Sequence, residues 1–234
     1  MNLKESFLEY CKKESLEVNQ NQLKIIDQLN SYYKENFEKS FFKKFFKKKN
    51  IKLGFYLVGD VGVGKTMLLN FFLSKLKVKK LRLHFNEFMI NFHDFRHEKK
   101  DDHMINGFVK ELKKKYELIY LDEFQVTNIV DAMILGKLFE IIFEEKIKII
   151  ITTNTKLHDL YKDGLQRDQF LPFISIIENF SIQKELQIQD DYRTKNSEKL
   201  QQIFFPLNEK TSFKVNQKFR EFTRNINKES KLIT

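Results

Sequence analysis

One short stretch constrains this chain more than any other, because it places a glycine-rich loop between an apolar run and a helical pattern. The loop reads Gly59-Asp60-Val61-Gly62-Val63-Gly64-Lys65-Thr66 and fits the spacing G-x-x-x-x-G-K-[ST]. The β-rich run Phe55–Val58 precedes it, and a helical pattern over Met67–Leu76 follows. Strand, loop and helix in this order predict a phosphate-binding loop rather than a chance glycine turn before a helix.

The residue types in this loop explain why the pattern binds phosphate. Glycines allow positive φ and a close approach of the backbone to the anion. The amide groups then converge on the phosphates at the positive end of the following helix. We therefore predict that all eight loop residues contact the phosphates of ATP, with Lys65 bridging the β- and γ-phosphates and the Thr66 hydroxyl ligating Mg²⁺.

Strands and helices alternate from about residue 53. The predicted strands are Phe55–Val58, Leu81–Phe85, Leu118–Leu121, Ile147–Thr152 and, more weakly, Phe180–Leu186. The predicted helices lie around 65–76, 86–97, 104–116 and 129–145. This alternation predicts an α/β fold of the P-loop NTPase type, a three-layer sandwich with a mainly parallel sheet. We expect a helical N-terminal extension over 1–50, the nucleotide-binding core over 51–194 and a helical segment over 195–234.

Two adjacent carboxylates follow the apolar strand that begins after Glu117. Asp122 stands at the carboxyl end of that strand, where it suits the Mg²⁺ shell. Glu123 is placed to orient and polarise an attacking water. An acidic turn after a strand is a common pattern, but its spacing from the glycine loop favours a site. A glutamate at this position also favours hydrolysis over transfer to an acceptor, as a kinase would perform.

Two further polar residues are candidates for the same site. Asn154 ends an apolar strand, where an amide would sense the γ-phosphate and hold the water; a plain strand-terminating turn is the alternative. Arg167 is suited to stabilise charge on the γ-phosphoryl group in the transition state. A surface ion pair between Arg167 and Asp168 is equally compatible with the sequence. Arg193, in the string Asp191-Tyr192-Arg193, leaves the choice between a nucleotide contact and a structural ion pair open.

Composition excludes several classes of protein. The 234 residues carry a net charge of +10, yet only six of the 42 basic residues are arginine, so we expect a solvated lysine surface and no specific nucleic acid. A nucleic-acid-associated protein stays the alternative. Cys11 is the only cysteine, which excludes a disulfide within the chain. No apolar run approaches a membrane span and no signal sequence is evident, so a cytoplasmic location is expected.

A segment rich in phenylalanine and lysine lies just before the core. Its phenylalanines recur every four residues between 41 and 49, which puts them on one stripe of a helix. Packing against the core is one interpretation, and peripheral contact with an anionic membrane surface is the other.

These elements together resemble the ZapE family of AFG-like AAA+ ATPases, over about residues 16 to 225. The strings that carry the resemblance follow the family order and are more specific than the loop. They are Gly54-Phe55-Tyr56-Leu57, Arg82-Leu83-His84-Phe85, Leu121-Asp122-Glu123-Phe124-Gln125-Val126-Thr127, Asp131-Ala132-Met133-Ile134-Leu135 and Leu160-Tyr161-Lys162-Asp163-Gly164-Leu165-Gln166-Arg167.

The resemblance implies an AAA+ core that assembles as a homo-oligomeric ring, in which Arg167 acts at the ATP of the neighbouring subunit. It implies ATP-driven work on a protein substrate: association with the division machinery in bacteria, or turnover of membrane-protein subunits in mitochondria. A location in the cytoplasm, with peripheral contact at the inner membrane or division site, fits this role. A helicase loader is the alternative within AAA+ proteins.

The chain departs from the family pattern at three points. Asn86 stands where the family usually has histidine, and Asn128 stands where it usually has aspartate; Asn128 is expected to cap the helix beginning at Ile129. Family members normally extend well beyond residue 234. The resemblance therefore implies that the segment 195–234 forms only part of a helical lid.

Overall fold

A computed structural model describes residues 3–38, 51–98 and 104–187. The expectations for the 41–49 segment, for Arg193 and for the partial lid lie outside the described residues. Within the described ranges the helices are α1 Leu3–Lys13, α2 Gln20–Asn36, α3 Lys65–Lys75, α4 Phe85–Glu98, α5 Met104–Lys115, α6 Ile129–Glu144 and α7 Leu171–Phe180. The strands are β1 Gly54–Gly59, β2 Lys80–His84, β3 Leu118–Asp122, β4 Lys148–Thr153 and β5 Ser181–Leu186.

The five strands form one sheet in the order β2-β3-β4-β1-β5, and every neighbouring pair is parallel. Their carboxyl ends therefore meet at a single edge. In open α/β sheets this edge is where ligands bind, in the crevice beyond the strand ends. The glycine loop follows β1, and β1 lies between β4 and β5.

The helices cover both faces of the sheet because the chain reverses direction within it. The connection from β1 to β2 passes over two strands one way, whereas the connections from β2 through β5 run the opposite way. Right-handed crossovers then place α3 on one face and α4 to α7 on the other. The three-layer sandwich expected from the sequence is confirmed.

Two hydrophobic clusters lie on the two faces of the sheet. Alternate residues of the three central strands, β3, β4 and β1, enter different clusters, as Phe55 and Tyr56 do in β1 and Tyr120 and Leu121 do in β3. Tyr120 joins the cluster on the α3 side. Asp122, two residues further along β3, therefore faces the side on which the glycine loop enters α3.

The two N-terminal helices pack on the α3 side of the sheet. Their buried residues, which include Phe7, Ile26 and Leu29, share one cluster with α3 and with β1. Asn19 caps α2 by accepting a hydrogen bond from the Asn21 amide at 2.8 Å. Residues before the glycine loop are thus part of the layer that supports it.

The predicted elements agree with the structure to within a residue or two at each end. Helix α7 is not among the helices whose bounds the sequence predicts. It has Pro172 in its first turn, a position that proline favours. In the part of the chain that the structure describes, no helix has both the length and the apolar character needed to span a membrane.

Candidate functional site

The glycine loop leaves β1 and opens directly into α3. Gly62 and Gly64 adopt positive φ values of 93° and 86°, a region that L side chains rarely enter. Gly64 occupies the N-cap position and offers no side chain to the amides of the first helical turn. These amides have no partner within a regular helix, so the start of α3 is suited to bind an anion.

The loop is held close to its surroundings. A Cβ atom at Gly59 would come within 2.5 Å of the Leu186 carbonyl oxygen, so the neighbouring strand β5 excludes any side chain there. The Lys65 Nζ atom donates to the carbonyl oxygens of Gly59 at 2.6 Å and of Asp60 at 2.8 Å. The ammonium group therefore lies across the mouth of the loop. Thr66 is exposed in the first turn of α3.

Asp122 is the most firmly held acid of the site. Its side chain is 4% exposed, and it accepts hydrogen bonds from Thr152 Oγ1 at 2.6 Å and from Arg82 Nη2 at 2.8 Å. Burial by itself would raise the pKa of the Asp122 carboxyl, but the bonds from Thr152 and Arg82 outweigh it and the pKa is lowered. Asp122 is thus a carboxylate at neutral pH, as a metal ligand requires.

Glu123 lies at the strand end in an unusual conformation. Its φ is 53°, its side chain is 78% exposed, and its amide donates to Asp122 Oδ1 at 3.1 Å. The next residue, Phe124, is fully buried and its amide donates to the Thr152 carbonyl at 2.9 Å. Because both neighbours are fixed, Glu123 is held in the left-handed region and its carboxylate is directed away from the core.

Strand β2 supplies a residue to each of these two acids. Arg82 binds Asp122 and lies over the Tyr120 ring at 5.5 Å, and the His84 Nδ1 atom is 3.6 Å from the Glu123 carboxylate. Sequence reasoning did not assign Arg82 or His84 to the site. The rarity of arginine in this chain was the available signal, since a guanidinium presents several donors in a fixed geometry that lysine lacks.

The two remaining candidates lie on the stretch that follows β4. Asn154 is exposed directly after the carboxyl end of β4, which stands between β1 and β3 in the sheet. Arg167 begins a short 3₁₀ helix, Arg167–Gln169, and donates to the backbone carbonyls of Leu160 at 2.8 Å and His158 at 2.6 Å. The topology thus brings the loop, both acids and Asn154 to one edge of the sheet, whereas the Arg167 guanidinium is bonded to its own loop.

The donor set fits a triphosphate with magnesium. Hydroxyl and carboxylate oxygens, which Thr66 and Asp122 supply, are the ligands that Mg²⁺ takes when it is shared with substrate phosphates. The loop amides and the Lys65 ammonium supply the positive side of the same site. Because Mg²⁺ in such sites takes its other ligands from water and from the phosphates, one protein carboxylate is enough to hold it.

Comparison with known proteins decides the family. The model of the AFG1-like ATPase family matches residues 2–233. The chain belongs to the AFG1-like ATPase family. This confirms the resemblance found in the sequence strings.

Relatives and a solved structure agree with this assignment. The chain is 35% identical to lactation elevated protein 1 homolog B of Danio rerio over 72% of its length, and 32% identical to the cell division protein ZapE of Escherichia coli K12 over 68%. It spans only 36% and 43% of those two proteins. AMPPCP-bound DnaA from Aquifex aeolicus has a similar fold, with a TM-score of 0.50, 18% identity, and coverage of 90% of this chain and 64% of that one.

Proposed function

We propose that this chain binds ATP with Mg²⁺ and hydrolyses the terminal phosphate. The observation that carries this is the placement of the loop Gly59–Thr66, the acids Asp122 and Glu123, and Asn154 at one edge of a parallel sheet. Family membership supports the same reaction. Bound magnesium would neutralise the charge that develops on the phosphates.

Each residue has a separate part in this proposal. The Lys65 ammonium leaves the carbonyls of Gly59 and Asp60 and binds phosphate oxygens, which are stronger acceptors for a cation. Thr66 and Asp122 hold the metal. Glu123, exposed at the strand end, accepts a proton from the attacking water, and Asn154 orients that water.

Two variants and one control test the assignment. Lys65→Ala should weaken ATP binding roughly 10- to 100-fold, because a charge-assisted hydrogen bond is lost. Glu123→Gln should leave ATP affinity within about twofold and lower turnover roughly 10²- to 10⁴-fold, the usual contribution of a general base. Calorimetry gives the affinities, and phosphate release gives the turnover.

Glu117→Gln is the matched control, because Glu117 is an exposed glutamate next to the opposite end of the same strand. It should hydrolyse ATP at the parental rate. Parental turnover in Glu123→Gln would show that Glu123 is not the base. Unchanged ATP affinity in Lys65→Ala would remove the loop assignment itself.

The work done with ATP is a second part of the proposal. We propose remodelling of a protein substrate, in the cytoplasm and with peripheral contact at the inner membrane or division site. Support comes from the ZapE relative, whose name describes a cell division protein. A helicase-loading role has no comparable support, since solved structures that this chain resembles, the DnaC helicase loader among them, share only 18 to 21% identity with it and show the fold alone.

The Glu123→Gln variant also gives a test of the substrate class. A variant that binds ATP without turning it over should retain whatever the motor engages. We expect proteins of the division machinery or membrane-protein subunits to co-purify with it in ATP but not in ADP. Retention of single-stranded DNA with a steep salt dependence would instead favour the nucleic-acid alternative.

A further inference from the structure

A glutamine in the N-terminal helix α2 lies beneath the phosphate-binding loop. The buried stripe of α2 is apolar at Leu23, Ile26 and Leu29, yet Gln22 is just as buried, at 1% exposure. A buried amide is costly unless its groups are hydrogen-bonded. Its presence in this stripe therefore calls for a function that an apolar side chain cannot perform.

The side-chain amide of Gln22 is bonded to the loop. Its Nε2 atom donates to the Val63 carbonyl at 3.0 Å within a buried environment. The next residue, Gly64, packs directly against the same amide, because a Cβ atom there would lie 2.9 Å from Nε2. Helix α2 thus contacts the loop in two ways: the Gln22 amide donates to the Val63 carbonyl, and the same amide packs against the backbone of Gly64.

This hydrogen bond fixes the direction of a phosphate-facing amide. In a planar trans peptide the carbonyl oxygen and the following N–H point to opposite sides. Holding the Val63 carbonyl toward α2 directs the Gly64 N–H away from α2. Backbone N–H groups at this end of a glycine-rich loop are the ones that bind phosphate.

The start of α2 is anchored so that Gln22 can act in this way. The neighbouring Asn21 donates through Nδ2 to the Gln187 carbonyl, just beyond β5, at 2.8 Å. Asn19, the residue just before the first helical residue, caps the same helix. The position of Gln22 relative to the loop is therefore set by the end of β5 as well as by core packing.

We propose that Gln22 is a positioning residue for nucleotide binding, which aims the Gly64 amide at the phosphates by holding the Val63 carbonyl. This inference depends on the proposed function, since it assumes that the loop binds a nucleotide. It gives helix α2 the role of holding the phosphate-binding loop in position. It also predicts that a substitution of Gln22 weakens the binding of the phosphates and leaves the binding of the base unchanged.

The test compares Gln22→Met with Gln28→Met. Methionine keeps the length of the side chain and removes the donor. Gln28 lies on the same helix, and its Oε1 atom is buried without a hydrogen-bond partner among the described residues, as is that of Gln22. The two substitutions therefore remove the same side-chain amide from the same helix, but only the Gln22 amide is hydrogen-bonded to the loop.

We expect Gln22→Met to bind ADP and inorganic pyrophosphate roughly 3- to 12-fold more weakly, the cost of about one hydrogen bond. The KM for ATP should rise by a similar factor with kcat within about twofold, because this contact is present in ground and transition states alike. Gln28→Met should change ADP affinity by less than about twofold. Gln22→Ala should give the same direction and serves if the methionine variant does not fold.

Parental ADP affinity in a folded Gln22 variant would overturn the inference. An equal loss in Gln28→Met would also overturn it, because the effect would then belong to the helix as a whole. Failure of the parent protein to bind ADP is a separate result that would remove the proposed function. The two failures are distinguished by measuring the parent first.

Discussion

At the residue scale, hydrogen bonds join three buried side chains in a row that ends at the candidate metal ligand, Asp122. The Tyr120 hydroxyl lies 3.0 Å from Thr152 Oγ1, which in turn lies 2.6 Å from Asp122 Oδ1. A carboxylate only accepts, and a threonine hydroxyl has one proton to give. Thr152 must therefore donate to Asp122 and accept from Tyr120, whose pKa is raised by burial so that its hydroxyl stays protonated.

Thr152→Val tests this row, because valine has the same shape and no hydroxyl. We expect the Mg²⁺ concentration for half-maximal hydrolysis to rise roughly tenfold, as when a metal ligand loses its supporting bond. The free energy of unfolding should fall by about 1–3 kcal/mol, since buried polar groups lose their partner. Magnesium titrations of phosphate release and denaturant unfolding measure the two effects.

Tyr120→Phe is the control for Thr152→Val. It removes the outer hydroxyl but leaves the bond between Thr152 and Asp122 in place. The magnesium requirement should then stay within about twofold of the parent. An equal shift in both variants, or no shift in Thr152→Val, would show that Thr152 does not position Asp122.

At the scale of a single element, the start of α6 shows how one side chain stabilises a helix. Asn128 caps the helix by accepting from the Asp131 amide at 2.8 Å, and its own Nδ2 donates to Asp131 Oδ2 at 2.6 Å. The other Asp131 oxygen lies 2.7 Å from His93 Nε2 on α4. The cap expected from the sequence is confirmed, and Asp131, which binds the cap residue, also connects α6 to α4.

Asn128→Ala should lower the free energy of unfolding by about 1 kcal/mol, the typical cost of losing an N-cap. Asn128→Ser should recover most of this loss, because serine also accepts from the amides of the first turn. Denaturant unfolding of the three proteins measures the effect. Equal stabilities of the alanine and serine variants would show that the cap contributes little.

At the scale of the whole molecule, we propose that Arg167 acts at the nucleotide of a neighbouring copy of this chain. Its guanidinium donates to the carbonyls of Leu160 and His158 within its own subunit. Reaching the nucleotide of a neighbour would require exchange of these two acceptors for phosphate oxygens, which bind a guanidinium more strongly. We propose that assembly as a ring provides that exchange.

A mixing experiment tests the shared site. Arg167→Ala and Lys65→Ala should each be inactive alone. In an equal mixture about a quarter of the interfaces should pair an intact loop with an intact arginine, and activity should return in proportion. Light scattering with a non-hydrolysable ATP analogue should show a mass that is a multiple of the 28.3 kDa chain. An inactive mixture of assembled rings would place Arg167 in its own subunit's site.

Much of the fold was predictable because its signals are local. The alternation of apolar strands with helical patterns gave the elements, and parallel strands separated by helices leave few arrangements. The strand order and the full set of parallel pairs required the structure. Helix α7 was not predicted with bounds, because it has only 10 residues and follows an irregular stretch, so its apolar residues repeat too few times to show a clear helical period.

The sequence by itself determined the groups that touch the nucleotide in our proposal. Each of these groups lies at the end of a single strand, so the local pattern around that strand is enough to identify it. Only the tertiary structure decided what holds those groups: Arg82 and Thr152 against Asp122, and Gln22 against the loop. These partners lie 30 to 41 residues away along the chain. Contacts over such separations depend on strand order and on how α2 packs, and no local pattern encodes either.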